Sequence, residues 1–467
     1  MSIVWWFDAF LFGSGNSVET LAQVMKRIFV TSRVQVTLIV AAAFLLRIWL
    51  ATSPALDIDE ALDYAPAATS YLKGNWSANY PHPMVVKLLF AGSVVLFGQH
   101  GWFGTLFPWL PESIGAVRLV SAIIGAAICF VMYELAKEVS GSQHLGMVAG
   151  ALLAFDPVSV GESSYGLLDP GMTLFYMISI LFFYRFVKGG RALEFYVSAV
   201  SFGLAVASKY YAIIAFPILI GILLWKHKFR AEWKSMAVYL GVSIIVFFAV
   251  QPVLWTSPLV NLSHTLINNQ HNLLRGHLVK VPGSPFLVPP TRMLGGPWLY
   301  IGANPFASKP DFYADPSNAV QSPWWYLIYI QTMYSTPFEI VVYPVTICYV
   351  ILNGVRRRLT DLTTLSGLLV SAPIFFFAAL SVRLPQYAIL SSTSAAMLGA
   401  VAFDGLSGRR RTMFILFLLV FHVGWTLYAL LTAGNNFTGW SFDETILTPI
   451  LANIFGLLWK LTQGFNW

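Results

Sequence analysis

Residues 34–63 read VQVTLIVAAAFLLRIWLATSPALDIDEALD, an apolar run that leads at once into a cluster of acids. The first part, residues 34–52, is long enough to cross a bilayer as a helix, which takes about 20 apolar residues. Four acids follow close to the membrane surface that this span reaches: Asp57, Asp59, Glu60 and Asp63. The stretch therefore predicts a membrane helix that opens directly into an acidic loop.

The composition of the whole chain supports a membrane protein. Of the 467 residues, 57% are hydrophobic and 10% are charged, with a mean hydropathy of +0.68. A soluble domain has about 25% charged residues, so a soluble multidomain enzyme and a disordered chain are both excluded. The net charge of +7 comes from basic clusters between apolar runs, which is typical of cytoplasmic loops rather than of a nucleic-acid surface. No nucleic-acid partner is expected.

Apolar runs of sufficient length predict an all-α polytopic membrane protein with 11 or 12 transmembrane helices. A short segment, residues 4–12, is expected to lie at the membrane interface before the first span. The candidate spans are 34–52, 114–136, 144–161, 170–187, 193–208, 210–225, 236–256, 338–354, 363–382, 386–403, 412–432 and, as the twelfth, 446–461.

The distribution of basic residues orients these spans. If residues 84–98 do not span, the clustered Lys and Arg residues share one side, as the positive-inside rule requires. We therefore expect 84–98 to be a re-entrant or surface helix, the amino terminus to be cytoplasmic, and the active site to face outside the cell membrane. The same rule favours two helices broken near Lys209 over one long helix across 193–225. The chain then divides into a module at 1–256 with its first external loop at 53–113, an external loop region at 257–337, and carboxy-terminal membrane helices at 338–467.

Ionisable residues on the external face are the candidates for function, because charges near a bilayer are costly. Taken singly, several have a simpler structural explanation. Asp57 or Asp59 can cap a helix, Asp169 precedes Pro170 as an N-cap does, and Lys209 can snorkel from a helix end. A carboxylate such as Asp59 can also act as a general base toward a hydroxyl. The two cysteines lie in apolar runs and give neither a disulfide framework nor a thiolate metal site.

Short motifs that occur in order along 55–225 carry a resemblance. They are Asp59-Glu60, Tyr71-Leu-Lys73-Gly74, His82-Pro83 with Lys87, Arg118-Leu-Val-Ser121, Tyr165-Gly-Leu-Leu-Asp169 and Ala207-Ser-Lys209-Tyr210. This order resembles the protein O-mannosyltransferase family, which belongs to the GT-C class of membrane glycosyltransferases. The family usually has a second proline after His-Pro and a glycine before the lysine, where this chain has Met84 and Val86.

The resemblance implies a GT-C fold and a polyprenyl-phosphate sugar, with mannose as the sugar, as co-substrate. It implies Asp59 as the catalytic base, Glu60 as a catalytic residue that orients Asp59 or the acceptor, and inversion in a single displacement. Donor phosphate or sugar would be bound by Lys209, Arg118, Asp169, His82, Lys87 and Arg383, with Arg275 and Arg292 as closing residues. No cofactor is expected, and a divalent metal is not expected although the sequence leaves it open.

The expected acceptor is a Ser or Thr hydroxyl of a protein. The first alternative is an enzyme of the same class that acts on a lipid or glycan, as the aminoarabinose transferases do. The second is a lipid-linked-sugar transporter without chemistry, for which the inverted repeats and mid-membrane charges of transporters are missing from the sequence. The sequence leaves open whether the protein forms a homo- or hetero-oligomer.

Overall fold

The computed structural model describes residues 32–52, 59–80, 82–98, 112–226, 229–265, 337–356, 358–378 and 388–404, together with 420–424 and 426. Across these ranges the regular structure is helical and no β-strand occurs. The prediction of an all-α protein is confirmed. The predicted interfacial segment 4–12, the predicted span 446–461 and most of the span 412–432 lie outside the described residues.

The α-helices of the described part are numbered in chain order. They are α1 (Ser32–Ala51), α2 (Ala65–Leu72), α3 (Val85–Phe97), α4 (Glu112–Ser140), α5 (Gln143–Ala154), α6 (Pro157–Glu162), α7 (Leu168–Gly189), α8 (Ala192–Val206), α9 (Ala215–Trp225), α10 (Phe229–Ala249), α11 (Pro337–Val355), α12 (Asp361–Ala378) and α13 (Ala388–Asp404). A π-helical turn, Asp59–Tyr64, precedes α2, and 3-10 helices precede α9 (Tyr210–Ile214) and follow α10 (Pro252–Leu254).

Three of the described helices are long and apolar enough to cross a membrane: Arg33–Ala51, Ser113–Ser140 and Leu168–Gly189. Shorter apolar helical stretches of 10–17 residues lie in α3, α5, α8, α9, α10, α11 and α13. The total of 11 or 12 spans, like the division into 1–256, 257–337 and 338–467, therefore stays a prediction.

The break between α8 and α9 is where the sequence predicted it. α8 ends at Val206, and the chain turns through Ala207–Lys209 before the 3-10 helix at Tyr210–Ile214. α3 is also a separate helix, as expected for 84–98. Its 13 residues rise about 20 Å at 1.5 Å each, which is less than the roughly 30 Å of a bilayer core.

The predicted span 144–161 is wrong as a single helix. α5 ends at Ala154, and α6 begins at Pro157 after the N-cap Asp156, whose Oδ1 accepts the Ser159 N–H at 2.6 Å. Proline at the first helical position has no N–H to continue the preceding helix, and the capping carboxylate starts a new one. α10 is shifted as well: it runs from Phe229 to Ala249 rather than over 236–256, and a 3-10 turn at Pro252 follows it.

α4 and α7 carry charged side chains at both ends. At their amino-terminal ends lie Arg118 and Asp169, which belong to the candidate site. At the other ends, Arg185 binds Glu134 at 2.9 Å and Lys188 binds Glu138 at 2.9 Å. Arg118 and Glu134 are 16 residues apart, which is about 24 Å along a helix. The long apolar middle of these helices thus separates two ionic layers.

Candidate active site

The first ion pair of the site joins Glu60, on the π-helical turn, to Arg118 of α4. Arg118 Nε donates to Glu60 Oε1 at 2.8 Å and Nη2 donates to Oε2 at 2.7 Å, and both side chains are fully buried. Glu60 Oε1 also accepts the Gly166 N–H at 2.8 Å, and Arg118 Nη1 donates to the Ala51 carbonyl at 3.0 Å. The pair therefore fastens the acidic loop to α1, to α4 and to the segment that precedes α7.

The second ion pair joins Lys209, in the turn between α8 and α9, to Asp169 at the start of α7. Lys209 Nζ donates to Asp169 Oδ2 at 2.7 Å, and the Tyr211 hydroxyl donates to Asp169 Oδ1. Both charged side chains are buried. The Ala207 carbonyl of the same turn accepts the Val85 N–H of α3 at 3.1 Å. The Lys209 turn is thereby brought against the loop that carries His82.

Asp59 is partly exposed and lies within electrostatic range of this second pair. Burial raises the pKa of the Asp59 carboxyl above its usual range, and this is the largest cause of the shift. The charge of Lys209 lowers that pKa, whereas Asp169 and Asp63 raise it further. Residues that are far apart in sequence thus act electrostatically on one carboxylate.

Lys87 and His82 sit on the loop and helix that face the acidic turn. Lys87 Nζ donates to the Asn79 carbonyl at 2.7 Å, to Asn79 Oδ1 at 3.1 Å and to the His82 carbonyl at 2.8 Å. The His82 ring meets the Tyr64 ring edge-on, with centroids 5.6 Å apart, and the Tyr64 hydroxyl donates to Asp59 Oδ2 at 3.3 Å. The three protons of the Lys87 ammonium are therefore matched by three acceptors from its own loop.

Of the site residues expected from the sequence, the structure brings together Asp59, Glu60, His82, Lys87, Arg118, Asp169 and Lys209. Asp57 and Arg383 lie outside the described residues, as do Arg275 and Arg292.

Sequence reasoning missed Arg47, which is fully buried in α1. Its Nε donates to Ser163 Oγ at 2.6 Å, its Nη2 to Ser159 Oγ at 2.9 Å, and its Nη1 to the Ala154 carbonyl at 3.1 Å. Arg47 thus binds both sides of the break between α5 and α6. An arginine inside the first apolar run was a visible signal, since such a charge requires buried partners.

Sequence reasoning also missed Tyr211, Gly166 and Asn79. Tyr211 stood in the predicted turn but in an apolar context. Gly166 is required by a close approach, because a Cβ there would overlap Cγ1 of Val117. Asn79 adopts a left-handed backbone with φ of 49°, which no sequence pattern around it indicated.

Within the described part of the chain, no group of three or more His, Cys, Asp or Glu side chains is arranged to hold a metal ion. The acids of the site instead accept hydrogen bonds from Arg118, Lys209, Tyr64 and Tyr211.

Two solved structures share this arrangement of helices. ArnT from Cupriavidus metallidurans, bound to undecaprenyl phosphate, superposes with a TM-score of 0.52 at 14% identity, over 82% of this chain and 62% of that one. The oligosaccharyltransferase of Archaeoglobus fulgidus in the apo form gives a TM-score of 0.56 at 14% identity, over 88% and 57%. The chain therefore has the GT-C fold of membrane glycosyltransferases.

Similarity in sequence covers a shorter part of the chain than similarity in fold, and it indicates a particular family. Residues 81–255 match the family described as dolichyl-phosphate-mannose-protein mannosyltransferase. A polyprenol-phosphate-mannose–protein mannosyltransferase of Mycobacterium tuberculosis is 27% identical over 146 residues, which is 30% of this chain and 26% of the relative. The matched segment contains His82, Lys87, Arg118, Asp169 and Lys209, and it supports the resemblance that the sequence motifs predicted. The alignment spans about a quarter of the relative's length.

Proposed function

We propose that the protein transfers a sugar, mannose, from a polyprenyl-phosphate donor to an acceptor hydroxyl at the external face of the membrane. The observation that carries the proposal is the position of Asp59, which lies within electrostatic range of the buried Lys209–Asp169 pair. A carboxylate with a raised pKa and a fixed cation are the two groups that such a transfer needs. The acceptor that fits the family is a Ser or Thr hydroxyl of a protein.

In the proposed reaction Asp59 is the general base. It takes the proton of the acceptor hydroxyl while the hydroxyl oxygen bonds to the anomeric carbon of the donor sugar. The bond from that carbon to the phosphate oxygen breaks, and the phosphate leaves with the electron pair. One displacement of this kind inverts the anomeric carbon and needs no second carboxylate as nucleophile. Burial favours proton uptake by Asp59, because it raises the pKa of the carboxyl toward the working pH.

Lys209 is the proposed ligand of the leaving phosphate, and His82 is a second proposed ligand. An ammonium group has three protons, and Asp169 accepts one of those of Lys209. Charge develops on the phosphate oxygens as the bond breaks, so a preorganised cation there stabilises the transition state. Asp169 and Tyr211 hold Lys209 in place for this role.

For Arg118 and Lys87, the contacts support a role other than the direct binding of donor phosphate that the resemblance implies. Arg118 is engaged by Glu60 and Ala51, and Lys87 by Asn79 and His82. A phosphate would have to replace short, buried hydrogen bonds to reach either cation, which is costly. We therefore propose that both residues, and Glu60 with them, act by positioning the acidic loop. Arg383 remains a proposed donor ligand.

The names of the similar proteins support the donor class. The mycobacterial relative is named for polyprenol-phosphate-mannose, and the ArnT structure contains undecaprenyl phosphate. In both names a polyprenol carries the phosphate. A membrane partner of this chemistry fits a site that lies at the end of long apolar helices.

The test uses the full-length protein in lipid nanodiscs with radiolabelled polyprenyl-phosphate mannose and a Ser/Thr-rich peptide. We expect label to move to the peptide, and Asp59→Asn to lower the rate by about 10³-fold, within the range for loss of a general base. Asp404→Asn, an exposed carboxylate at the end of α13, is the matched control and should retain full activity. Equal transfer by Asp59→Asn, or none by the wild type, would refute the proposal.

Two further readouts separate the alternatives. Label that extracts into organic solvent with membrane lipid, instead of staying with peptide, would favour a lipid acceptor and refute the protein acceptor. Addition of a chelator tests the expectation that no metal takes part; undiminished transfer is the expected result.

A further inference from the structure

A small polar network in the loop between α2 and α3 surrounds Asn79. Asn79 is the one non-glycine residue of the described chain with a positive φ, 49°. Such a backbone costs on the order of 1 kcal/mol for most residues, although asparagine tolerates it better than others. A conformation of this kind persists when its surroundings fix it. The contacts of Asn79 show what fixes it.

Every polar group of the Asn79 amide is used. Its Nδ2 donates to Asp63 Oδ1 at 3.0 Å, and its Oδ1 accepts from Lys87 Nζ at 3.1 Å. Its backbone carbonyl accepts from Lys87 Nζ at 2.7 Å and also from the His82 N–H at 3.3 Å. Asn79 therefore ties the acidic turn to the amino-terminal end of α3.

Lys87 completes the network by binding the His82 carbonyl at 2.8 Å. Its ammonium is buried, and a buried charge needs hydrogen bonds of this number to be tolerated. The backbone carbonyls of Asn79 and His82 thus both accept hydrogen bonds from the one Lys87 ammonium. His82 is presented at the end of this closed loop.

The acidic turn and the His82 loop are fastened to each other at two points. One is the Asp63–Asn79 hydrogen bond, and the other is the edge-on contact between Tyr64 and His82. Tyr64 in turn donates to Asp59 Oδ2. A shift of the His82 loop would therefore be passed through Tyr64 to Asp59.

We propose that Asn79 and Lys87 are positioning residues, which hold His82 against Tyr64 and so orient Asp59 and the donor side of the site. This inference rests on the proposed function for its kinetic consequences. In this proposal Lys87 holds the His82 loop in place and does not bind the donor phosphate. Asn79 is added as a second residue that positions the loop and takes no part in the reaction itself.

Two variants each remove one side-chain partner of the network and leave the backbone conformation allowed. Asn79→Gly keeps a residue that accepts a positive φ but removes both amide hydrogen bonds. Lys87→Met keeps an unbranched chain of similar length but removes the cation. Asn75→Gly is the matched control: it lies in the same loop, is exposed, and its side chain accepts a hydrogen bond from Ser77.

The first measurement does not depend on activity. Carbethoxylation of His82 by diethyl pyrocarbonate is followed by mass spectrometry in the full-length protein in nanodiscs. We expect Asn79→Gly and Lys87→Met to raise the rate at least threefold, because the imidazole leaves its contact with Tyr64, and Asn75→Gly to leave it unchanged. Unchanged modification in Asn79→Gly would overturn the inference, even if the wild type proved to transfer no sugar.

The second measurement is the kinetics of transfer. A small displacement of a catalytic group lowers kcat by up to about 100-fold, so we expect a fall of about 10- to 100-fold in both variants, with the same change of donor KM in both. Loss of a direct phosphate ligand would raise the donor KM further, because such a ligand contacts the phosphate before as well as during the transfer. A donor KM in Lys87→Met that is more than twofold above that of Asn79→Gly would therefore overturn the positioning role.

Discussion

The buried ion pair between Glu60 and Arg118 predicts how much free energy of unfolding is lost when the guanidinium is removed. Arg118→Met removes the guanidinium but keeps a long side chain with good helix propensity for α4. Glu60 then keeps the Gly166 amide but loses two charge-assisted hydrogen bonds of 2.7 and 2.8 Å. Removing one partner of a buried pair costs about 3–5 kcal/mol, because the other charge stays buried. We expect a loss of that size in the free energy of unfolding.

The double variant Glu60→Gln, Arg118→Met tests whether the pair is the cause. With both charges gone, no uncompensated ion remains, so the double loss should be smaller than the sum of the two single losses. A coupling of about 2 kcal/mol is expected, within the range for residues in direct contact. The assay is equilibrium unfolding of the purified protein in mixed micelles titrated with SDS, followed by tryptophan fluorescence.

The pair between Lys188 and Glu138, at the other end of α4 and α7, is the matched control. Its side chains are 56% and 24% exposed. Solvent screens such a pair, so the same cycle with Lys188→Met and Glu138→Gln should give a coupling of at most about 1 kcal/mol. A coupling at Glu60–Arg118 below about 0.5 kcal/mol would falsify the view that this pair fastens the acidic loop.

Three further predictions follow from single positions. Gly166→Ala should cost about 1–3 kcal/mol in the SDS titration, since a Cβ there overlaps a valine methyl of α4, whereas Gly92→Ala, with open space around it, should not destabilise. Because the base must be ionised and burial raises the pKa of Asp59 above 3.8, kcat/KM should rise with pH through a midpoint above that value; a midpoint at or below it would contradict the assignment. Arg47→Met should lower the free energy of unfolding by about 3 kcal/mol or more, because it leaves several buried acceptors without this donor. Arg191→Met, at a side chain that is 79% exposed, is the control and should change that free energy by at most about 0.5 kcal/mol. Equal effects of the two variants would refute the role of Arg47 at the α5–α6 break.

Much of the layout could be predicted from the sequence because apolar length and basic clusters follow from the bilayer itself. The break before Lys209 and the separate helix at 84–98 were both found from charge placement alone. The break inside 144–161 was missed although Asp156-Pro157 signals it, because hydropathy averages over a short polar interruption. A capping acid followed by proline therefore predicts a helix break even inside a long apolar run.

The partners of the charges could not be predicted. Sequence order places Glu60 beside Asp59, Arg118 in a helix and Lys209 at a break between two helices, but it does not say which acid each cation meets. That depends on how α4, α7 and the Lys209 turn pack. Asn79 shows the same limit, because its role comes from a backbone angle and from three neighbours that only the fold assembles.

Asp59 and Glu60 are adjacent in sequence but meet opposite surroundings, and this difference supports the proposed division of roles. Both oxygens of Glu60 are held by one guanidinium, so this carboxylate would have to give up two charged hydrogen bonds before it took a proton. Asp59 accepts a longer hydrogen bond, 3.3 Å, from the neutral hydroxyl of Tyr64, and its pKa is raised mainly by burial. The π-helical turn makes this contrast, because it directs the Glu60 side chain toward α4 and leaves the preceding side chain, Asp59, within electrostatic range of Lys209. In the proposed reaction, the base and the residue that positions its loop are thus two consecutive residues.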